Sequence, residues 1–162
     1  MPNKLAILLF LQLFSAQAMG NDTQIPPLHS LYQDAILSTQ SQRPILLVFS
    51  ETLCIYCHRV KKNFIKPMMI SGDYDDQVIF RQATLDNRKK TITGLNGKTQ
   101  TLGQLAKQYR IKIIPTVLFL DASGRELSER IIGINSEDYY GYFLDQAILQ
   151  ALKKINPETH RD

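Results

Sequence analysis

Ile45-Leu46-Leu47-Val48-Phe49-Ser50-Glu51-Thr52-Leu53-Cys54-Ile55-Tyr56-Cys57-His58 is the stretch whose reading decides the fold. Pro44 opens an unbroken apolar run, Ile45 to Phe49, of the length and kind expected for a strand buried on both faces. After four intervening residues come Cys54 and Cys57, the only two cysteines in the chain. Val60, Phe64, Ile65 and Met68 follow at helical spacing and predict a helix that kinks or stops near Pro67. With two residues between the cysteines and the first at a helix start, both sulfurs can come within bonding distance and exchange two electrons. Helix N–H groups there favour a thiolate on the first. So short a bridge restrains the unfolded chain very little, so reactivity explains the pair better than stability does.

Working toward the N-terminus, Leu28, Leu31, Tyr32, Ala35 and Ile36 fall on one face of an amphipathic helix that ends in the polar run Ser38 to Arg43. Residues 19–27 are polar, end in Pro26-Pro27, and read as a flexible N-terminus. Residues 1–18 have the pattern of a secretory signal peptide: Lys4, an apolar run from Leu5 to Phe14, and Ala16-Gln17-Ala18 as the cleavage pattern. The run is shorter than the roughly 20 residues that span a bilayer. No cysteine follows it and no twin arginine precedes it, which argues against a lipid anchor and a twin-arginine signal. Cleavage after Ala18 leaves 144 of 162 residues, one domain's worth, and lowers the formal charge from +4 to +3 because only Lys4 is lost. So mild an excess argues for neither nucleic acid nor a membrane surface as partner.

Working toward the C-terminus, a second strand is predicted over Val78 to Leu85, and residues 86–100 form a polar hairpin or loop. Gly94 to Thr99 contains Gly-Lys-Thr, but only two residues separate its glycines where a phosphate-binding loop needs four. Thr101-Leu102-Gly103-Gln104 fits a capping box for a helix whose inner face is Leu102, Leu105, Ala106 and Tyr109. Pro115 stands at the head of the strand Val117 to Leu120, a place that calls for a sheet edge or a special peptide geometry. Asp121 to Gly124 turns a hairpin that returns through Glu126 to Ile132. Asn135 or Ser136 caps a last helix with the apolar stripe Tyr140, Phe143, Leu144, Ala147, Ile148, Ala151 and Leu152, leaving 157–162 as a tail.

The strand leading into Cys54-Ile55-Tyr56-Cys57, Ile114-Pro115-Thr116 about 60 residues later, and the closing hairpin and helix together resemble the thioredoxin-fold family. The likeness runs from about residue 28 to residue 154. The tyrosine before the second cysteine and the Gly-rich insertion before the third helix resemble exported bacterial members in particular. The resemblance implies an α/β thioredoxin-like domain over 28–156, with a central mixed sheet of about four strands flanked by helices. It implies Cys54 as nucleophile, Cys57 as buried resolving thiol and Pro115 as a cis proline beside them. Ile114 would offer its backbone to an extended substrate segment. Tyr56, between the cysteines, reads as part of an apolar docking surface or simply as a cap on the helix start. Two positions depart from the thioredoxin pattern: Val48 stands where a buried acid handles the proton of the second cysteine, and Leu53 where a tryptophan precedes the first. Glu51 is the nearest acid by sequence, though it reads as a solvated loop residue.

The function expected is that of a periplasmic thiol–disulfide oxidoreductase, with reductase favoured over oxidase or isomerase. Its redox-active pair would need no further cofactor and no metal. Disulfide-bonded exported proteins or apocytochromes are the expected targets, a membrane thiol–disulfide protein the electron donor, and the monomer the expected state. His58 lies four residues after Cys54, and an imidazolium there would stabilise the thiolate. It also completes Cys54-x-x-Cys57-His58, the pattern of covalent haem attachment, with Met68, Met69, His29 or His160 available as a distal ligand; but c-type cytochromes lack a strand before it. A zinc site is short of a second ligand pair. A binding module that retains the fold without catalysis would not need both cysteines. Arg59, Lys61, Lys62 and Lys66 read as a solvated helix face or, as the alternative, a basic rim that steers acidic partners.

Overall fold

The computed structural model describes residues 24–134 and 136–157. In chain order these form α1 (Leu31–Ser41), β1 (Ile45–Ser50), α2 (Ile55–Val60), α3 (Lys66–Ser71), β2 (Ile79–Thr84), β3 (Thr91–Thr93), β4 (Thr99–Thr101), α4 (Leu102–Gln108), β5 (Thr116–Leu120), β6 (Ile131–Ile132) and α5 (Glu137–Ile155). The main sheet has the order β2-β1-β5-β6, with β2 parallel to β1 and the other pairs antiparallel. This is the mixed four-stranded sheet flanked by helices that the resemblance implies. The polar excursion after β2 is a hairpin of its own, β3 against β4.

All six residues of β1 are buried because the strand is central and covered on both faces. Leu46 and Val48, with Val117 and Phe119 of β5, pack under Val60, Ile65 and Met68 and the α5 stripe. Ile45, Leu47 and Phe49, with Leu118 and Leu120, pack under Leu31 and the α4 residues Leu102, Leu105 and Ala106. Each such side chain contributes roughly 1.5–3 kcal/mol by leaving water. Thr101 and Gln104 make both bonds of the capping box, at 3.1 and 2.7 Å, and so fix the start of α4.

Several elements depart from the sequence expectations. Ser30 caps α1, its hydroxyl accepting from the Gln33 N–H at 3.1 Å, so Leu28 lies in the extended segment before the helix. The inward face of α1 is Leu31, Asp34 and Ser38, while Tyr32 and Ile36 are exposed. Burial of Asp34 is tolerated because Arg81 of β2 meets it at 2.6 Å. Residues 24–27 are not loose: Ile25 is buried, and Pro26 and Leu28 bond through their backbones to Gln82, so this segment is seated along the outer edge of β2. Residues 19–23 of that stretch, the signal-peptide pattern and His160 lie outside the described residues.

The helix after the cysteines does not stop at Pro67. A π turn, Lys61–Ile65, joins α2 to α3, and Pro67 falls in the first turn of α3. The wider turn and fresh helix start accommodate a residue that cannot donate a backbone hydrogen bond. The return from the Asp121 turn is less regular than a simple hairpin. Between the pairings Val117↔Ile131 and Leu120↔Glu126, three steps along β5 face five on the other strand, so the return bulges and β6 holds only two residues. Gly124 in that turn has φ +78°, a conformation that favours glycine, and a Cβ there would stand 2.3 Å from Leu95 Cδ1 and push that side chain aside. Ser136 is at the N-cap of α5 but makes no side-chain capping bond, Asn135 lies outside the described residues, and Phe143 of the expected stripe is 45% exposed.

Candidate active site

β1 delivers the chain to a pinned loop. The Thr52 N–H and hydroxyl both donate to Asp86, at 3.0 and 2.9 Å, and Asp86 belongs to a short 3-10 turn, Leu85–Asn87, at the end of β2. The Thr52 backbone N–H, with its hydroxyl, holds the Asp86 carboxyl below the usual carboxylate range. Glu51 faces Arg88 at 3.7 Å in a half-exposed ion pair, a solvated loop acid as its sequence position suggested.

Cys54 follows as the N-cap of α2 and is disulfide-bonded to Cys57, with 5.2 Å between the Cα atoms. Cys57 is fully buried and Cys54 is partly exposed, so an attacking group meets Cys54 first. The Cys57 N–H donates to Cys54 Sγ at 3.1 Å, and the His58 N–H to the Cys54 carbonyl at 3.0 Å. After reduction, a thiolate on Cys54 stands at the positive end of the helix with an amide aimed at it, the setting that lowers a thiol pKa.

The Ile114–Pro115 peptide is cis. Phe49 pairs with Thr116, so Pro115 is level with the end of β1 from which the chain leaves for Cys54. β5 lies between β1 and β6, which places Pro115 at the head of an interior strand; its carbonyl accepts from the Gly133 N–H at 2.8 Å. Thr116 Oγ1 donates to the Ile113 carbonyl at 2.7 Å and secures the approach to that proline. Ile114 is partly buried against the core, while Ile113 is exposed. Together with Leu53 at 97% exposure, Ile55 and Tyr56, it forms an apolar rim around the disulfide end of the sheet.

Two neighbours of the pair were not evident as such in the sequence. Ser50, the last residue of β1, is buried and its hydroxyl has no hydrogen-bond partner among the described residues. Asp86, which anchors the loop, lies 34 residues from Thr52, and no local pattern announces the contact. Val48, at the position of the thioredoxin acid, is completely buried in the apolar cluster. Arg59 separates from the rest of the basic run: it pairs with Glu137 of α5 at 2.6 Å and its guanidinium lies 5.9 Å from the centre of the Tyr56 ring. His58 is exposed. Among the described residues no group of three or more His, Cys, Asp or Glu side chains is placed to hold a metal ion, and no helix is long and apolar enough to cross a membrane.

Solved structures share this fold. A poplar thioredoxin h superposes with a TM-score of 0.54 at 18% identity, over 78% of this chain and 97% of that one. A thioredoxin from Nicotiana alata gives 0.51 at 21% identity, over 80% and 93%. A DsbH oxidoreductase gives 0.55 at 15% identity, over 83% and 92%. At such identities the likeness is one of fold. No curated protein matches the chain by sequence. Residues 31–148 match the thioredoxin-like domain family, a span that contains the N-cap cysteine pair and the cis proline, and on that match the chain belongs to the thioredoxin-like domain family.

Proposed function

We propose that this protein is a thiol–disulfide oxidoreductase of the periplasm that reduces disulfides in exported proteins. The observation that carries the reading is the disulfide between a partly exposed N-cap sulfur and a fully buried one. In the dithiol form, the Cys54 thiolate attacks one sulfur of a partner disulfide, and the other partner sulfur leaves as a thiolate and takes a proton. Cys57, deprotonated, then attacks Cys54 Sγ; the mixed disulfide breaks and the second partner thiol departs. Two electrons have passed to the partner, and Cys54–Cys57 is again a disulfide. A membrane dithiol protein restores the pair by the same two steps in reverse.

The apolar rim of Leu53, Ile55, Tyr56 and Ile113, with the backbone of Ile114, suits an extended substrate strand, whether from a folded exported protein or an apocytochrome. The signal-peptide pattern of residues 1–18 supports export, and mass measurement of the protein recovered from the periplasmic fraction tests it through the expected start at Met19. The reduction potential of the Cys54/Cys57 couple in glutathione or dithiothreitol buffers tests the chemistry and its direction together. A value near roughly −270 mV supports the reductase, and one near about −120 mV marks an oxidant. Absence of a reversible two-electron couple overturns the exchange reading altogether.

A further inference from the structure

Arg59 holds two partners at once, one beside the reacting sulfurs and one on a distant helix. Its guanidinium lies 5.9 Å from the centre of the Tyr56 ring, three residues back on α2, and its Nη1 meets Glu137 Oε1 of α5 at 2.6 Å. Residues three apart share a helix face, so the ring contact is local, whereas the ion pair spans 78 residues of sequence. Tyr56 stands between the two cysteines, 56% exposed, and is the aromatic member of the apolar rim. Glu137 opens α5 a short way after Gly133, whose N–H is held by the Pro115 carbonyl at 2.8 Å. Arg59 therefore ties the helix that carries the cysteine pair to the segment bonded to the cis proline.

These contacts contribute little to stability. The side chains of Arg59 and Glu137 are 46% and 50% exposed, a setting in which ion pairs are weak. What a cation over the face of a ring supplies, with an anchor behind the cation, is direction: an exposed tyrosine otherwise exchanges among its rotamers. A ring already held in place need not be immobilised when a substrate segment meets it, which lowers the entropic cost of docking. We propose that Arg59 is a positioning residue for the exchange reaction: anchored by Glu137, it fixes the Tyr56 ring as a wall for an extended apolar substrate segment beside Cys54. The proposal rests on the exchange reading and names within it the side chains that favour a polypeptide disulfide over a small one.

The test compares two uncharged disulfides, an end-blocked peptide disulfide with Val and Ser flanks and bis(2-hydroxyethyl) disulfide. Each is reduced by the dithiol protein, and initial rates are read by acid quench and chromatography. Dividing the second-order rate for the peptide by that for the small disulfide removes any change in the reactivity of Cys54 itself. Arg59→Met, which keeps an apolar stem and loses the charge, should lower this ratio about threefold, as loss of an exposed cation–π contact would. Glu137→Gln should lower it by less. Tyr56→Ala should lower it at least as far as Arg59→Met, and Arg59→Met/Tyr56→Ala no further than Tyr56→Ala alone, because Arg59 acts through the ring.

A ratio unmoved by any of the three single substitutions overturns the proposal and leaves the exchange reading standing. In particular, equal losses of both rates in Arg59→Met, at constant ratio, would assign the guanidinium to the Cys54 thiolate instead of the ring. A double variant that falls by the product of the two single losses also overturns it, since Arg59 and Tyr56 would then act independently. Failure of the unsubstituted protein to reduce either disulfide overturns the exchange reading, and the proposal with it.

Discussion

The backbone N–H of Cys57 donates to the Sγ of Cys54 across 3.1 Å. The residue whose own sulfur is shut away from solvent thus supplies the dipole that stabilises its partner's sulfur as an anion. That division follows from the N-cap position: the capping side chain faces the free N–H groups of the first turn, and the residue three further on turns toward the core.

From this asymmetry, Cys57→Ser should trap a mixed disulfide through Cys54 when mixed with a disulfide-bonded protein, and Cys54→Ser should not. In the reduced protein, iodoacetamide should modify Cys54 at neutral pH well before Cys57. Peptide mass mapping of the singly alkylated product checks this; modification of Cys57 first would reverse the assigned roles.

Asp86 gives the fold a pH dependence of known sign. Its folded-state pKa is lowered, from about 3.9 for a free aspartate, by the Thr52 N–H and hydroxyl. Between the two pKa values the unfolded chain binds more protons, so this contribution is complete above the unfolded value and is lost as pH falls through the folded one. Asp86→Asn should therefore flatten the acid limb of the stability curve below about pH 4, and loosen the loop at Thr52 that sets the height of Cys54. Urea unfolding from pH 2 to 7 of both proteins measures the first effect; parallel acid limbs would show that the anchor carries no linkage.

Local grammar was enough for the parts of the chain that depend on neighbours in sequence. The apolar run Ile45–Phe49 could only be a central strand, the Thr101/Gln104 box set the start of α4, and two cysteines at a helix start placed the site. Long-range partners decided the rest. Periodicity put Leu28, Tyr32 and Ile36 on the inner face of α1, but the actual face contains Asp34, made burial-competent by Arg81, 47 residues away. Pro67 read as a kink or a stop, and the π turn that accommodates it leaves no mark of its own in the hydrophobic pattern. The wall that Ile25 and Gln82 set opposite Lys61, Lys62 and Lys66 comes from two distant segments, and no local pattern announces it.

The Asp34–Arg81 pair separates two views of a buried ion pair. Asp34 is 6% exposed and Arg81 22%, and Arg81 also donates to the Phe80 carbonyl at 2.7 Å. Asp34→Ala leaves the guanidinium partly buried without its carboxylate and should cost about 3 kcal/mol, the lower part of the range for breaking buried pairs. Asp34→Leu/Arg81→Leu should recover most of that, because desolvation of the charges goes with them. A double-mutant cycle in urea measures both; a double variant as unstable as Asp34→Ala would show that the pair does more than satisfy its own burial.

Ser50 supplies the opposite case, a buried polar group with nothing to lose. Strand alternation puts it on the face of β1 that carries Leu46 and Val48, under the helices, and its hydroxyl is enclosed without a partner among the described residues. An unpaired buried hydroxyl carries a desolvation cost of roughly 1–3 kcal/mol, while exchanging it for hydrogen leaves a void smaller than a methyl group. In the oxidised protein, Ser50→Ala should therefore leave stability unchanged or raise it by about 1 kcal/mol. Ser50→Val, which adds two methyl groups to a filled site, should lower it by roughly 1–3 kcal/mol. Denaturant midpoints of the three proteins decide between the effects. A loss of more than about 1 kcal/mol in Ser50→Ala would mean that the hydroxyl is bonded, most simply to a buried water at the foot of the loop that carries Cys54.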